Sequence, residues 1–135
     1  DRPYMLDPLL AAQRTAASGL QSQSMRLRVI SENLANVEST GTTPGADAYR
    51  RKSVTFAQAL DAASGAETVS VDRIIRDTTP FRLEMRPGHP AANPQGYVKL
   101  PNVNMVVEMA DMREASRSYE ANLQVIRQVR EMVSM

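Results

Sequence analysis

The chain has no cysteine and no tryptophan, and its aromatic content is two Phe and four Tyr in 135 residues. Without cysteine there are no disulfide staples, thiolate zinc sites or thiol nucleophiles, and the redox compartment stays open. So few aromatics leave little bulky material for a deep core or for a platform on which bases could stack. Charge of one sign is also missing, because 16 basic side chains face 15 acidic ones for a net +1. A polybasic nucleic-acid arm and a strongly acidic tail are both excluded. No apolar run approaches the roughly 20 residues that cross a bilayer, and the first 30 residues do not read as a secretory leader.

What is present is helical periodicity at both ends. Read in sevens, Leu6, Gln13, Leu20, Leu27 and Leu34 share one position, and Leu9, Ala16, Gln23, Ile30 and Val37 share the other. This pattern predicts a helix from about residue 5 to 37 with a coiled-coil seam, about 45 Å long. Pro8 is expected near its start, and Gly19 is a mild penalty within it. Residues 15–25 carry no charge. That face is either enclosed by neighbours and a confined aqueous space, or simply a soluble Ser/Gln surface.

The Thr/Gly/Pro-rich segment 38–48 predicts a loop, and from Tyr49 to Leu100 the period is two. Val54 with Phe56, Val69 with Val71 and Ile75, and Phe81 with Leu83 and Met85 mark short strands of one small antiparallel element. Its thin core would benefit from packing on a helix. From about 103 to the last residue, Met105, Met109, Met112, Tyr119, Leu123, Ile126 and Val133 recur at helical steps, with Asn102 as the expected N-cap. The fold class is mainly α with a small β insertion (α+β), the two long helices pairing as an antiparallel coiled coil. The domains are 1–37 (first helix), 38–102 (loop and β domain) and 103–135 (second helix). Leu10, Val29, Val106, Val107, Val125, Val129 and Met132 lie off any single seam, so association with further helices is expected.

Chemistry-bearing residues are sparse. His89, the single histidine, sits in PGHP and reads as a solvated loop residue. Glu108, Asp111 and Glu114 read as a salt-bridged solvent face beside Arg113 and Arg117 rather than as an acid/base pair. Tyr49-Arg50-Arg51-Lys52 joins three cations to an aromatic, but consecutive residues of an extended strand point to opposite faces. With no phosphate loop, nucleophile set or metal spacing, neither an enzyme nor a cofactor site is expected.

Two stretches carry more than periodicity. ISENLANV at Ile30–Val37, followed by AYRRKSVTF, resembles the N-terminal signature of the bacterial flagellar axial proteins, the rod, hook and related subunits. GYVKLPNVNMVVEMADMREASRSYEANLQVI is similar to the corresponding stretch of that family's proximal-rod members. Asn33, Leu34, Ala35 and Asn36 match the first motif, and Arg117, Ser118, Tyr119, Glu120, Ala121 and Asn122 match the second. The segment 38–48 departs from the short turn of hook and distal-rod relatives, which favours the proximal-rod type.

The resemblance implies a structural, non-enzymatic subunit of the basal-body proximal rod, polymerising through its terminal helices into a tubular drive shaft around an export channel. Leu20, Leu27, Ile30, Leu34, Met105, Met109, Met112, Tyr119, Leu123 and Ile126 are the expected assembly residues. Implied partners are other copies, proximal and distal rod proteins, rod-base or membrane-ring components and the flagellar type III export apparatus, with no nucleic acid or small-molecule substrate. A periplasm-spanning rod in the basal body is the implied location. A soluble helical-hairpin adaptor or export chaperone, and a wall hydrolase, are the competing classes.

Overall fold

The structure, a computed structural model, describes the backbone of residues 2–135 and the side chains of residues 8–135. Along the chain two long helices flank four strands, an α+β arrangement: α1 (Arg2–Ala35), β1 (Lys52–Leu60), β2 (Glu67–Arg76), β3 (Arg82–Met85), β4 (Tyr97–Leu100) and α2 (Met105–Ser134). Leu6, expected on the seam, has its side chain outside the described residues. Pro8 lies inside α1 rather than in its first turn, because the helix begins at Arg2. The strands do not form one element. They form two separate two-stranded sheets, β1 with β2 and β3 with β4.

The chain divides into two compact units. The first comprises Asp1–Arg28, Val54–Ile74 and Arg113–Met135. Its buried residues are small: Ala16, Gly19, Ser22, Ala66, Ala115 and Val129. Small side chains let backbones approach, and Gly19 shows how far this goes. A Cβ built there would stand 2.7 Å from Nδ2 of Asn122, whose amide is itself tied to Ser118 O at 3.0 Å. Gly19 therefore makes room for the Asn122 side chain of α2, and its propensity cost is tolerated for that reason.

The β1–β2 hairpin rests on α1 through hydroxyls rather than through bulky apolar contacts. Ser18 Oγ accepts the Val69 N–H at 3.0 Å, and Ser22 Oγ donates to Val69 O at 3.2 Å. One turn of helix thus satisfies both backbone groups of one strand residue, which accounts for serines at this spacing in the uncharged stretch. Arg14 adds an ion pair to Asp61 in the hairpin loop at 2.6 Å. The Asp61 carboxyl lies below its ordinary range, because Ser64 Oγ donates to it first and Arg14 second.

The second unit comprises Val29–Ser53 and Ile75–Met112. Val29, Ile30, Ala91, Val98, Leu100 and Val103 are buried in it, together with two polar side chains, Asn33 and Glu108. The β3–β4 register sets Arg82 opposite Leu100 and Met85 opposite Tyr97. Val98 and Leu100 point inward while Leu83 and Met85 remain exposed, so the apolar face of β3 lies away from this core. Gly96, at φ 88°, closes the turn, and a Cβ there would come within 2.9 Å of Met85 Sδ.

Of the apolar residues off the seam, Val29 and Val129 are buried within the chain, whereas Leu10, Val106, Val107, Val125 and Met132 are exposed. The α2 N-cap is Asn104, not Asn102. Its Oδ1 accepts the N–H groups of Val106 at 3.0 Å and Val107 at 3.3 Å. Gly19→Ala should gain nothing in the natural background and about 1 kcal/mol of helix propensity once Asn122→Ala opens space. Urea melts of the four proteins of this cycle measure it, and equal gains in both backgrounds would remove the close passage from the account.

Candidate functional site

The densest polar construction is in the second unit, around Asn33 and Glu108, both with 0% exposure. Asn33 uses its whole hydrogen-bonding inventory. Its Nδ2 donates to Lys52 O at 2.7 Å and to Glu108 Oε2 at 3.2 Å. Its Oδ1 accepts from Tyr49 Oη at 2.7 Å and from the Lys52 N–H at 2.9 Å. The amide therefore pairs with both backbone groups of Lys52 as a neighbouring strand would, and fixes the start of β1 to α1. Glu108, on the first turns of α2, receives Arg51 Nε on its other oxygen.

Arg51 is held from further sides. Its backbone N–H donates to Asn102 Oδ1 at 2.7 Å and its carbonyl accepts the Asp77 N–H at 2.8 Å. Asn102, freed from capping, donates to the carbonyls of Asp77 and Thr79, each at 3.0 Å. The Asp77 carboxyl is held below its usual range, chiefly by the N–H and hydroxyl of Thr79. The neighbouring cations are similarly engaged: Arg50 lies 4.2 Å from the Phe81 ring centroid, and Lys52 Nζ donates to Glu32 at 2.7 Å. All four residues of the Tyr-Arg-Arg-Lys run thus have partners inside the chain. Burial, then the charges of Glu32 and Glu108, raise the Tyr49 phenol to about 12.

The expected salt-bridged acidic face divides accordingly. Glu108 is buried instead of solvated, and Glu114 reaches Arg26 of α1 at 3.5 Å. His89 is half-buried: its Nδ1 accepts the Ala91 N–H at 3.0 Å and its Nε2 lies 3.5 Å from Thr40 Oγ1. Asn36 terminates α1 by donating to Glu32 O at 2.8 Å and accepting from Ser39 Oγ at 2.9 Å. The two Asn of the first motif therefore differ in role, one being the hub and the other a cap.

Among the expected assembly residues, Ile30 is buried, while Leu20, Leu27, Leu34, Met112, Tyr119, Leu123 and Ile126 are half-buried and Met105 and Met109 are exposed. In the second motif Ser118 and Asn122 are half-buried; Arg117, Glu120 and Ala121, like Ala35 of the first, are exposed. An open cleft of 410 Å³ beside Tyr49 contains Glu32 and Asp47, already paired with Lys52 and Lys99. Among the described residues no group of three His, Asp or Glu could hold a metal ion, and no helix is long and apolar enough to cross a membrane.

The architecture is thus a set of interlocking tethers, and the sequence matches known proteins at both ends. Residues 14–41 match the family model of the flagella basal body rod protein, and residues 95–135 match that of the flagellar basal body rod FlgEFG protein C-terminal region. The flagellar basal-body rod protein FlgC of Agrobacterium fabrum is 60% identical over 129 residues, covering 96% of this chain and 93% of its own. The chain belongs to the FlgC family of flagellar basal-body rod proteins. FlgC of Salmonella typhimurium is 45% identical with 87% of each chain covered, and FlgC of Borreliella burgdorferi is 41% identical with 87% and 88% covered. The chain is accordingly a structural subunit of the basal-body rod, and the adaptor or chaperone alternative gains no support from these relatives.

Removing one partner of a buried pair leaves the other charge uncompensated. Glu108→Leu should cost about 3 kcal/mol in urea unfolding, and Glu108→Leu with Arg51→Met should cost less than the sum of the single changes. Because the folded state raises the Tyr49 pKa, it holds the phenolic proton more tightly than the unfolded chain does. The associated stability is complete below the ordinary value of 10.0 and is lost as pH rises toward about 12. Thermal melts across that window should fall more steeply for the natural protein than for Tyr49→Phe; parallel curves would contradict the assignment.

Proposed function

We propose that this rod subunit polymerises through its terminal helices into a tubular shaft that transmits torque and encloses the export channel. The observation that carries the reading is apolar surface on α2: Met105, Val106, Val107 and Met109 near one end and Met132 and Val133 near the other are all exposed. Exposed apolar residues clustered at the ends of a helix are satisfied when other helices pack on them. In an aqueous monomer that surface is unsatisfied.

The finer elements of the proposal are an antiparallel coiled coil of α1 with α2 and the domains 1–37, 38–102 and 103–135. Within the first unit, Gly19 lies against Asn122 and Arg26 reaches Glu114. Seven residues forward on α1 correspond to eight backward on α2, which supports an antiparallel run with a near-heptad step. The motif residues and the ten seam residues then serve assembly in two ways. Asn33 sets the strand, and the half-buried Leu, Met, Ile and Tyr positions offer their remaining surface to adjacent subunits. Other copies, proximal and distal rod proteins, rod-base or membrane-ring components and the type III export apparatus are the proposed partners, in a rod that spans the periplasm.

Hydrogen exchange tests this reading. In dilute monomer the amides of residues 9–13 and 130–134, outside the Gly19–Asn122 and Ser18–Val69 contacts, should exchange rapidly and gain protection when related rod subunits are added. Those of residues 30–35 and 106–112, fixed by the Asn33–Glu108 construction, should be slow in both states. Full protection of both helix ends in the isolated monomer would overturn the proposal.

A further inference from the structure

The β1–β2 sheet has two strands, so each strand has one outer edge. β2 is covered by α1 at Val69 and carries Glu67, Asp72, Arg73 and Arg76 along its length. β1 has no such protection. Ser53–Leu60 reads SVTFAQAL, without charge, proline or glycine, and Phe56 and Leu60 are 40% and 70% exposed. Among the described residues, no hydrogen bond from any segment other than β2 reaches the backbone of Val54–Leu60. Strand edges in soluble proteins are ordinarily blunted by lysine, proline or a bulge, and an uncharged, exposed edge is a template for another strand.

We infer that β1 is a pairing edge whose occupant in the free protein is β1 of a second copy, adding antiparallel to it. Only an extended backbone complements such a row of N–H and C=O groups. Among the strands of this chain, only β1 brings no charged side chain against the neutral Ser53–Ala59 edge. Full overlap of Lys52–Leu60 with its copy sets Phe56 opposite Phe56 and Lys52 opposite Leu60, and leaves Ser53–Ala59 paired with neutral residues throughout. β2 in the same position would bring two acidic and two basic side chains. The contact is isologous and closes at two copies. It is therefore separate from the helix contacts proposed for the shaft.

Sedimentation of the full chain over a range of concentrations tests the inference. The natural protein should form a dimer, and Phe56→Lys and Phe56→Glu should each weaken it at least tenfold, since each sets like charges opposite one another. An equimolar mixture of the two variants should restore the dimer, a result that neither misfolding nor helix-mediated association reproduces. Phe56→Cys, the sole thiol in the chain, should form an intermolecular disulfide when an added oxidant takes the two electrons and protons of the paired thiols. A natural protein that stays monomeric at its highest soluble concentration would overturn the inference. So would a Phe56→Lys variant that dimerises as the natural protein does, or a mixture no tighter than its components.

Discussion

A carboxylate with no solvent exposure is the constraint around which the second unit is organised. Burying Glu108 removes the hydration of an ionised group, a loss that only close, oriented partners offset. Arg51 and Asn33 supply them from positions 57 and 75 residues away in the chain. Because Arg51 also binds Asn102 and Asp77 through its backbone, and Asn33 binds both backbone groups of Lys52, the same construction fixes the end of α1, the start of β1 and the approach to α2. Apolar contacts of the same size would hold these segments together without setting their registers.

In the first unit, specificity comes from small residues and hydroxyls. Gly19 admits the Asn122 amide, and Ser18 and Ser22 complete the backbone of Val69. Small buried side chains of this kind go with the scarcity of aromatic residues. Phe81 is an exception of a different kind, supporting the Arg50 guanidinium on its ring face.

Helices at both ends and strands between them were legible because they are written in local periodicity. The heptad leucines and the Val54/Phe56 and Val69/Val71 alternation need no distant information. The sequence neighbours of Glu108, Asp111 and Arg113, are polar and point to a solvated face, whereas its actual partners are remote. Residue type alone suggests Asn102 as the helix cap, and its real partners at residues 51, 77 and 79 have no local signature. The division into two sheets depends on which strands meet in space, a long-range property that alternation does not encode. The ISENLANV resemblance singles out Asn33, but its pairing with the backbone of Lys52, 19 residues away, has no local signature.

The Tyr49–Lys52 run has a consequence for how this protein can vary. Each residue is seated in a different receptor: Tyr49 on Asn33, Arg50 on Phe81, Arg51 on Glu108 and Lys52 on Glu32. A chain arriving one residue early or late would have to vacate all four together. The run therefore acts as a phase lock: whatever length error accumulates across residues 38–48 is erased before β1 begins. An insertion or deletion within that loop has to be absorbed before Tyr49 if the strands and α2 are to keep their alignment, and around the loop's own ties through Asp47 to Lys99 and Gly45 to Ala91.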